Sequence, residues 1–119
     1  MIRSYKDLVV YQRAYRLNLF IYKMIEEENS PQRFEINDQI RRASLSIVLN
    51  IAEGYGKAST KDFKRFLSMS IGSANELQVL IEIIKDLGYL ETKIANKLIQ
   101  ETNEIGKMLY TLRKNWQEF

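Results

Sequence analysis

Apolar residues recur at steps of three and four along four stretches of the chain. This spacing places side chains on one face of an α-helix and predicts helices over residues 6–28, 31–54, 59–88 and 91–117. Helices of this length span roughly 30–40 Å each. Joined by short connections, they predict one all-α domain over residues 1–119, an up-down-up-down antiparallel four-helix bundle. Gly54 and Gly56 are predicted to end the second helix in the left-handed conformation.

Three of the predicted helices carry apolar residues on a second face. A monomeric bundle needs only one apolar stripe on each helix, so aligned second stripes predict a homo-oligomer. Wide buried faces within one bundle are the alternative explanation. The candidate interface residues are Leu8, Tyr15, Leu19, Tyr22, Leu45, Val48, Leu49, Met69, Val79 and Ile83.

The composition narrows the possible chemistry. The chain has no histidine and no cysteine, which excludes a Ser-His-Asp triad, a histidine general base and sites built on histidine or thiolate metal ligands. We therefore expect no catalytic residues, no cofactor and no metal, and we interpret the protein as a non-enzyme. No signal peptide and no apolar run long enough to cross a bilayer is visible, which predicts a cytoplasmic protein with no membrane partner.

A group of polar residues is predicted to form a structural network within the bundle. If the second and third helices turn about Gly56, Asn50 lies level with Phe63, and an arginine pair lies level with Gly72 and Ser73, one turn from Glu76. Folding the fourth helix back brings a further glutamate to the same height. Ion pairs across the bundle or between subunits are favoured over catalysis. The network residues are Arg41, Arg42, Asn50, Glu53, Glu76 and Glu104.

A basic group lies at the corner between the second and third helices. The net charge is +3, and its excess is spread evenly between residues 1–60 and 61–119. Lysines beside aromatic residues at an exposed helix start can hold a phosphate backbone. A solvated charged end is the alternative reading. The nucleic-acid candidates are Lys57, Lys61, Lys64 and Arg65, interleaved with Tyr55 and Phe63.

Three segments together resemble the 23S rRNA intervening-sequence family, whose members are often labelled ribosomal-protein-like. They read DLVVYQRAYRL, QIRRASLSIVLNIAEGYGKAS and KDFKRFLSMSIGSANELQVLIEI, followed by LGYL. The loop FEIND before the second helix departs from the family pattern. The positions that match the family signature are Arg41, Arg42, Ser46, Asn50, Glu53, Gly54, Gly72, Ser73 and Glu76.

The resemblance implies a small bacterial protein that assembles as a ring of up-down bundles, most often a pentamer. It also implies an association with RNA, because some members are encoded within insertions in large-subunit rRNA genes. The leading hypothesis is therefore a non-enzymatic oligomeric module that binds structured RNA. The alternative is a protein–protein adaptor or scaffold ring with no nucleic-acid role, and an enzyme with an unforeseen core pocket is the least favoured.

Overall fold

The computed structural model describes residues 1–28 and 30–117, and these form four α-helices. Short 3-10 turns at Tyr5–Asp7 and Pro31–Arg33 precede the first two. The helix ends differ from those predicted by one to three residues, and residues 29, 118 and 119 of the expected domain lie outside the described residues. The helices are α1 (Val9–Glu27), α2 (Phe34–Tyr55), α3 (Thr60–Asp86) and α4 (Thr92–Asn115).

The helices form an antiparallel bundle that measures 49 × 21 × 21 Å. The α2–α3 and α3–α4 pairs pack most extensively, while α1 closes the bundle against α2 and α4. The predicted apolar stripes fill the core, where Ile21, Ile47, Leu77 and Ile105 are almost completely buried. Within the described residues, no helix combines the length and apolar character needed to cross a membrane.

Glycine serves two different purposes at Gly54 and Gly88. Gly54 lies inside α2, and a Cβ atom built on it would stand 2.5 Å from the Cβ of Phe66. Gly88 has a φ of 76°, and the N–H of Tyr89 donates to the carbonyl of Ile84 at 2.8 Å, as in a Schellman end. The predicted left-handed conformation of Gly54 and Gly56 is therefore wrong: the first is helical, and the second caps α2 with a φ of −76°.

The register between α2 and α3 differs from the one predicted. Ser46 Oγ and Ser73 Oγ lie 2.8 Å apart, and the Ser70 hydroxyl donates to the carbonyl of Ile47 at 2.6 Å. Ser46 is thus level with Ser73, whereas the prediction placed the arginine pair there. The reason is the turn, because α2 continues to Tyr55 and α3 starts at Thr60, which puts the centre of the hairpin beyond Gly56.

Candidate nucleic-acid interface

The alternating direction of the helices gathers distant parts of the chain at each end of the bundle. At one end, the ring centroids of Tyr55 and Trp116 lie 6.0 Å apart, and the start of the chain borders the last turns of α4. At the other end, the Arg33 guanidinium donates to the carbonyl oxygen of Tyr89 at 3.3 Å. The first end comprises residues 1–7, 53–65 and 110–117, and the second comprises residues 23–28, 30–38 and 82–93.

These two ends carry opposite charge. The first has eight basic and three acidic side chains, and the second has four basic and eight acidic side chains. We call them the basic end and the acidic end. The two halves of the sequence hide this contrast because each half contributes residues to both ends. The basic side chains of the basic end are Arg3, Lys6, Lys57, Lys61, Lys64, Arg65, Arg113 and Lys114.

The four predicted nucleic-acid residues all lie at the basic end, where the chain turns from α2 into α3. The Lys57 ammonium is 3.9 Å from a Glu53 carboxylate oxygen, and Arg65 is 3.7 Å from Asp62. Exposed pairs of this kind contribute little energy, so both cations can engage another anion. The other two lysines have no ion-pair partner within 4.0 Å among the described residues.

Contacts within the basic end hold several cations near one surface. The Lys57 ammonium and the Arg65 guanidinium lie 5.4 and 4.7 Å from the centre of the Phe66 ring. From α4, Arg113 donates to the Ser68 hydroxyl at 2.9 Å and so joins the outer face of α3. Reasoning from the sequence missed this contribution of α4 and of the first residues. Summing charge by bundle end, rather than by half of the chain, would have found it.

An aromatic cleft opens beside these cations. Phe63 is buried at its base, and the Trp116 ring meets it edge-on with centroids 4.9 Å apart. Tyr55 and Trp116 are half-buried, and both line the cleft. The cleft encloses about 280 Å³, and its lining residues are Tyr55, Lys57, Ala58, Ser59, Thr60, Phe63, Trp116 and Gln117.

The arginine pair of the predicted network makes its ion pairs within α2. Arg41 lies 3.2 Å and Arg42 lies 3.0 Å from oxygens of Asp38. Two hydrogen bonds hold the pKa of the Asp38 carboxyl below its ordinary value. The bond from Arg42 has the larger effect, and the bond from Arg41 adds to it. The expected pairing with glutamates of α3 and α4 within one bundle is therefore wrong, because the nearest carboxylate is on the same helix face.

The remaining members of that network are also placed differently. Asn50 is half-buried, and its amide donates to the carbonyl and the hydroxyl of Ser46 rather than to the start of α3. Glu53 and Glu76 are exposed, so neither lies within the bundle as the predicted network requires. Glu104 lies on the groove between α1 and α4, and α4 is diagonal to the helix that carries the arginines.

The ion pair that crosses between helices was not predicted from the sequence. Arg13 of α1 donates through Nε to a carboxylate oxygen of Glu101 of α4 at 3.1 Å, and its Nη2 donates to the other oxygen. This hydrogen bonding raises the pKa of the arginine. The pair ties α1 to α4 across the groove and lies away from the basic end.

The comparisons with known proteins agree with this architecture. A model of the 23S rRNA-intervening sequence protein family matches residues 6–111. The chain belongs to this family. A crystal structure from Bacteroides thetaiotaomicron, described as a protein with unknown function from the S23 ribosomal protein family, superimposes with a TM-score of 0.85 at 25% identity. That match covers 90% of this chain and 96% of the other. No curated protein matches the chain.

The family assignment confirms the resemblance noted in the sequence, and the structure shows what several signature positions do. Gly54 lets α2 approach Phe66, and Ser46 with Ser73 joins α2 to α3 by a hydrogen bond. Gly72 has open space around it, because no atom lies within 4 Å of a Cβ built there. Gly54 and the Ser46–Ser73 pair thus set the spacing of the α2–α3 pair, and Gly72 does not.

Most of the predicted interface residues of this family member are exposed. Leu49 of α2 and Val79 of α3 have 53% and 54% of their surface accessible, and Leu45 of α2 is half-buried. Leu8 and Val48 were expected at the interface but are buried at 3% and 6% exposure. The first closes the core where the 3-10 turn meets α1, and the second lies one turn from Ser44, which bonds Asn18 of α1. The other exposed members are Tyr15, Leu19, Tyr22, Met69 and Ile83.

Proposed function

We propose that this protein is a cytoplasmic, non-catalytic RNA-associated module that holds the phosphate backbone of structured RNA against its basic end. The observation that carries the proposal is the segregation of charge between the two ends of one bundle. Phosphate contacts supply most of the sequence-independent affinity of proteins for nucleic acids. A surface with eight basic and three acidic side chains meets that requirement, whereas the acidic end repels the same polymer.

The proposal includes assembly of several copies in a ring, with a pentamer favoured by the family resemblance. Exposed apolar side chains on α1, α2 and α3 support it, because a monomer has no use for aligned apolar residues on its outer surface. Cyclic symmetry places the basic ends of all copies at the same height along the ring axis. A modest contact in each copy then becomes multivalent on one RNA.

RNA binding is tested with two variants that lower the net charge by the same amount. One replaces Lys57, Lys61, Lys64 and Arg65 with glutamine. The matched control replaces four exposed cations elsewhere, namely Arg16, Lys23, Lys93 and Lys97. Binding of a labelled RNA hairpin is measured by fluorescence anisotropy across a series of salt concentrations.

We expect the first variant to bind more weakly and to reduce the slope of log K against log salt by about three, the value for four lost phosphate contacts. The control should retain most of the wild-type slope. Equal effects of the two variants would show that only net charge matters. Wild-type protein that binds no RNA at all would overturn the proposal and favour the adaptor alternative.

The assembly arm is tested by the mass of the particle in solution. We expect light scattering coupled to size exclusion to give a mass several times the 14.1 kDa of one chain. Leu49→Glu should lower that mass while the helical circular dichroism is unchanged, because a carboxylate at an apolar contact must be desolvated. Lys107→Glu, at an exposed position of α4, a helix that carries none of the candidate interface residues, serves as the control. A wild-type particle with the mass of one chain would refute the assembly.

A further inference from the structure

The aromatic cleft at the basic end has the features of a site for a flat, anionic ligand. It encloses about 280 Å³, close to the lower limit of small-molecule sites, so it has room for one small planar group. The half-buried Tyr55 and Trp116 line the cleft together with the exposed Lys57. The aromatic rings and the cation come from the end of α2, the turn before α3, the first turn of α3 and the residue that follows α4, so the cleft exists only in the folded bundle.

We propose that this cleft binds one unpaired nucleotide of an RNA, with the base stacked on Trp116 or Tyr55 and its phosphate near Lys57. The proposal rests on the proposed function and adds a site for a base to a surface for phosphates. Base stacking on aromatic rings tolerates every base, and it pairs with a basic track in proteins that bind single strands. Here the aromatic cleft adjoins the cations of the basic end. This combination favours a looped or unpaired segment over a continuous duplex.

Charge argues for a nucleotide over an apolar peptide as the occupant. Lys57 lines the cleft, and Lys61 and Lys64 follow within one or two residues of its lining at the corner between α2 and α3, with no ion-pair partner within 4.0 Å among the described residues. The lining also combines the half-buried Tyr55 and Trp116 with the exposed Lys57. An anionic ligand with polar groups around a flat ring complements this combination.

Trp116 is the single tryptophan of the chain, so its fluorescence reports directly on the cleft. The titration uses two probes, an oligoadenylate of about ten nucleotides and inorganic polyphosphate, which has phosphates but no bases. We expect oligoadenylate to quench the tryptophan at saturation. Polyphosphate, when it occupies the basic end to the same extent, should leave the fluorescence nearly unchanged.

Variants separate stacking from simple charge attraction. Tyr55→Leu keeps the tryptophan reporter and should weaken oligoadenylate binding by roughly tenfold, with little effect on polyphosphate. Phe20→Leu, which removes an exposed aromatic ring away from the basic end, is the matched control and should bind as the wild type does. Thermal melts monitored by circular dichroism confirm that each variant is folded. If the tyrosine variant fails to fold, the wild-type titration still decides.

The outcomes distinguish this site from the proposed function itself. Salt-sensitive binding of oligoadenylate without quenching, or equal quenching by polyphosphate, would refute the cleft and leave the basic end as the phosphate surface. Absence of any binding by oligoadenylate and by the RNA hairpin would refute both. Quenching that depends on the base-bearing probe supports the cleft.

Discussion

Replacement of Gly54 by alanine tests whether the close approach of α2 and α3 is what this glycine provides. The new Cβ would stand 2.5 Å from the Cβ of Phe66 and 3.1 Å from a ring carbon of Phe63. The Cβ of Phe66 is fixed to the α3 backbone, so it cannot rotate away. Ordinary carbon–carbon contacts need about 3.5–4.0 Å, and the two helices must therefore separate by about 1 Å at this point.

Two opposing terms set the size of the effect. Overpacking of a well-packed core costs about 1–3 kcal/mol. Alanine in a helix interior is favoured over glycine by about 1 kcal/mol. The balance predicts that Gly54→Ala destabilises the protein by about 1 kcal/mol. At Gly106, within α4, no atom lies within 4 Å of an added Cβ. Gly106→Ala should therefore stabilise the protein by the helix preference of about 1 kcal/mol, with no packing cost.

The assay compares urea or thermal unfolding of both variants with the wild type at one protein concentration, since association shifts apparent stability. We expect Gly54→Ala to melt below the wild type and Gly106→Ala to melt above it. The difference of about 2 kcal/mol corresponds to about 8 °C for a chain of this size. If both variants are stabilised equally, the close packing at Gly54 is not what the structure indicates.

Two further predictions concern a helix end and an acidic residue. Gly88→Ala should cost about 1–2 kcal/mol in urea unfolding, because the site has a positive φ that alanine rarely adopts, and an equal loss in Gly106→Ala would contradict this. Asp38→Asn should be less stable than the wild type above the ordinary carboxyl pKa of about 3.9. That difference should fade as the pH falls through the depressed pKa of Asp38, since protonation removes the charge that Arg41 and Arg42 stabilise. A difference that persists in strong acid would exclude this ion cluster as its cause.

The helices could be predicted from the sequence because their apolar periodicity is strong and only one proline interrupts the chain. The structural role of each glycine could not be predicted from the sequence. A glycine near a helix end serves either a left-handed turn or a close approach, and the sequence spacing is the same for both. Gly54 has the second role and Gly88 the first, which only the packing against Phe66 and the φ of 76° reveal.

The candidate site was predictable in part. The basic corner is local in sequence, so its four cations could be located before the structure was known. The extension to Arg113 depends on how α4 returns to the same end, and the aromatic cleft depends on Trp116 meeting Phe63 across the bundle. The arginine pairing was wrong because an error in the turn centre shifts every partner across a hairpin. The predicted pairing also left out Asp38, which lies on the same helix and binds both arginines.

The most direct test of the central claim is a lysine footprint of the protein on RNA. Native protein is acetylated briefly with and without a saturating RNA hairpin, and each lysine is quantified by mass spectrometry. We expect RNA to protect Lys57, Lys61 and Lys64 at the basic end, while Lys23 and Lys93 at the acidic end are modified at the same rate in both samples. Protection centred on the acidic end, or equal protection at both ends, would contradict the account.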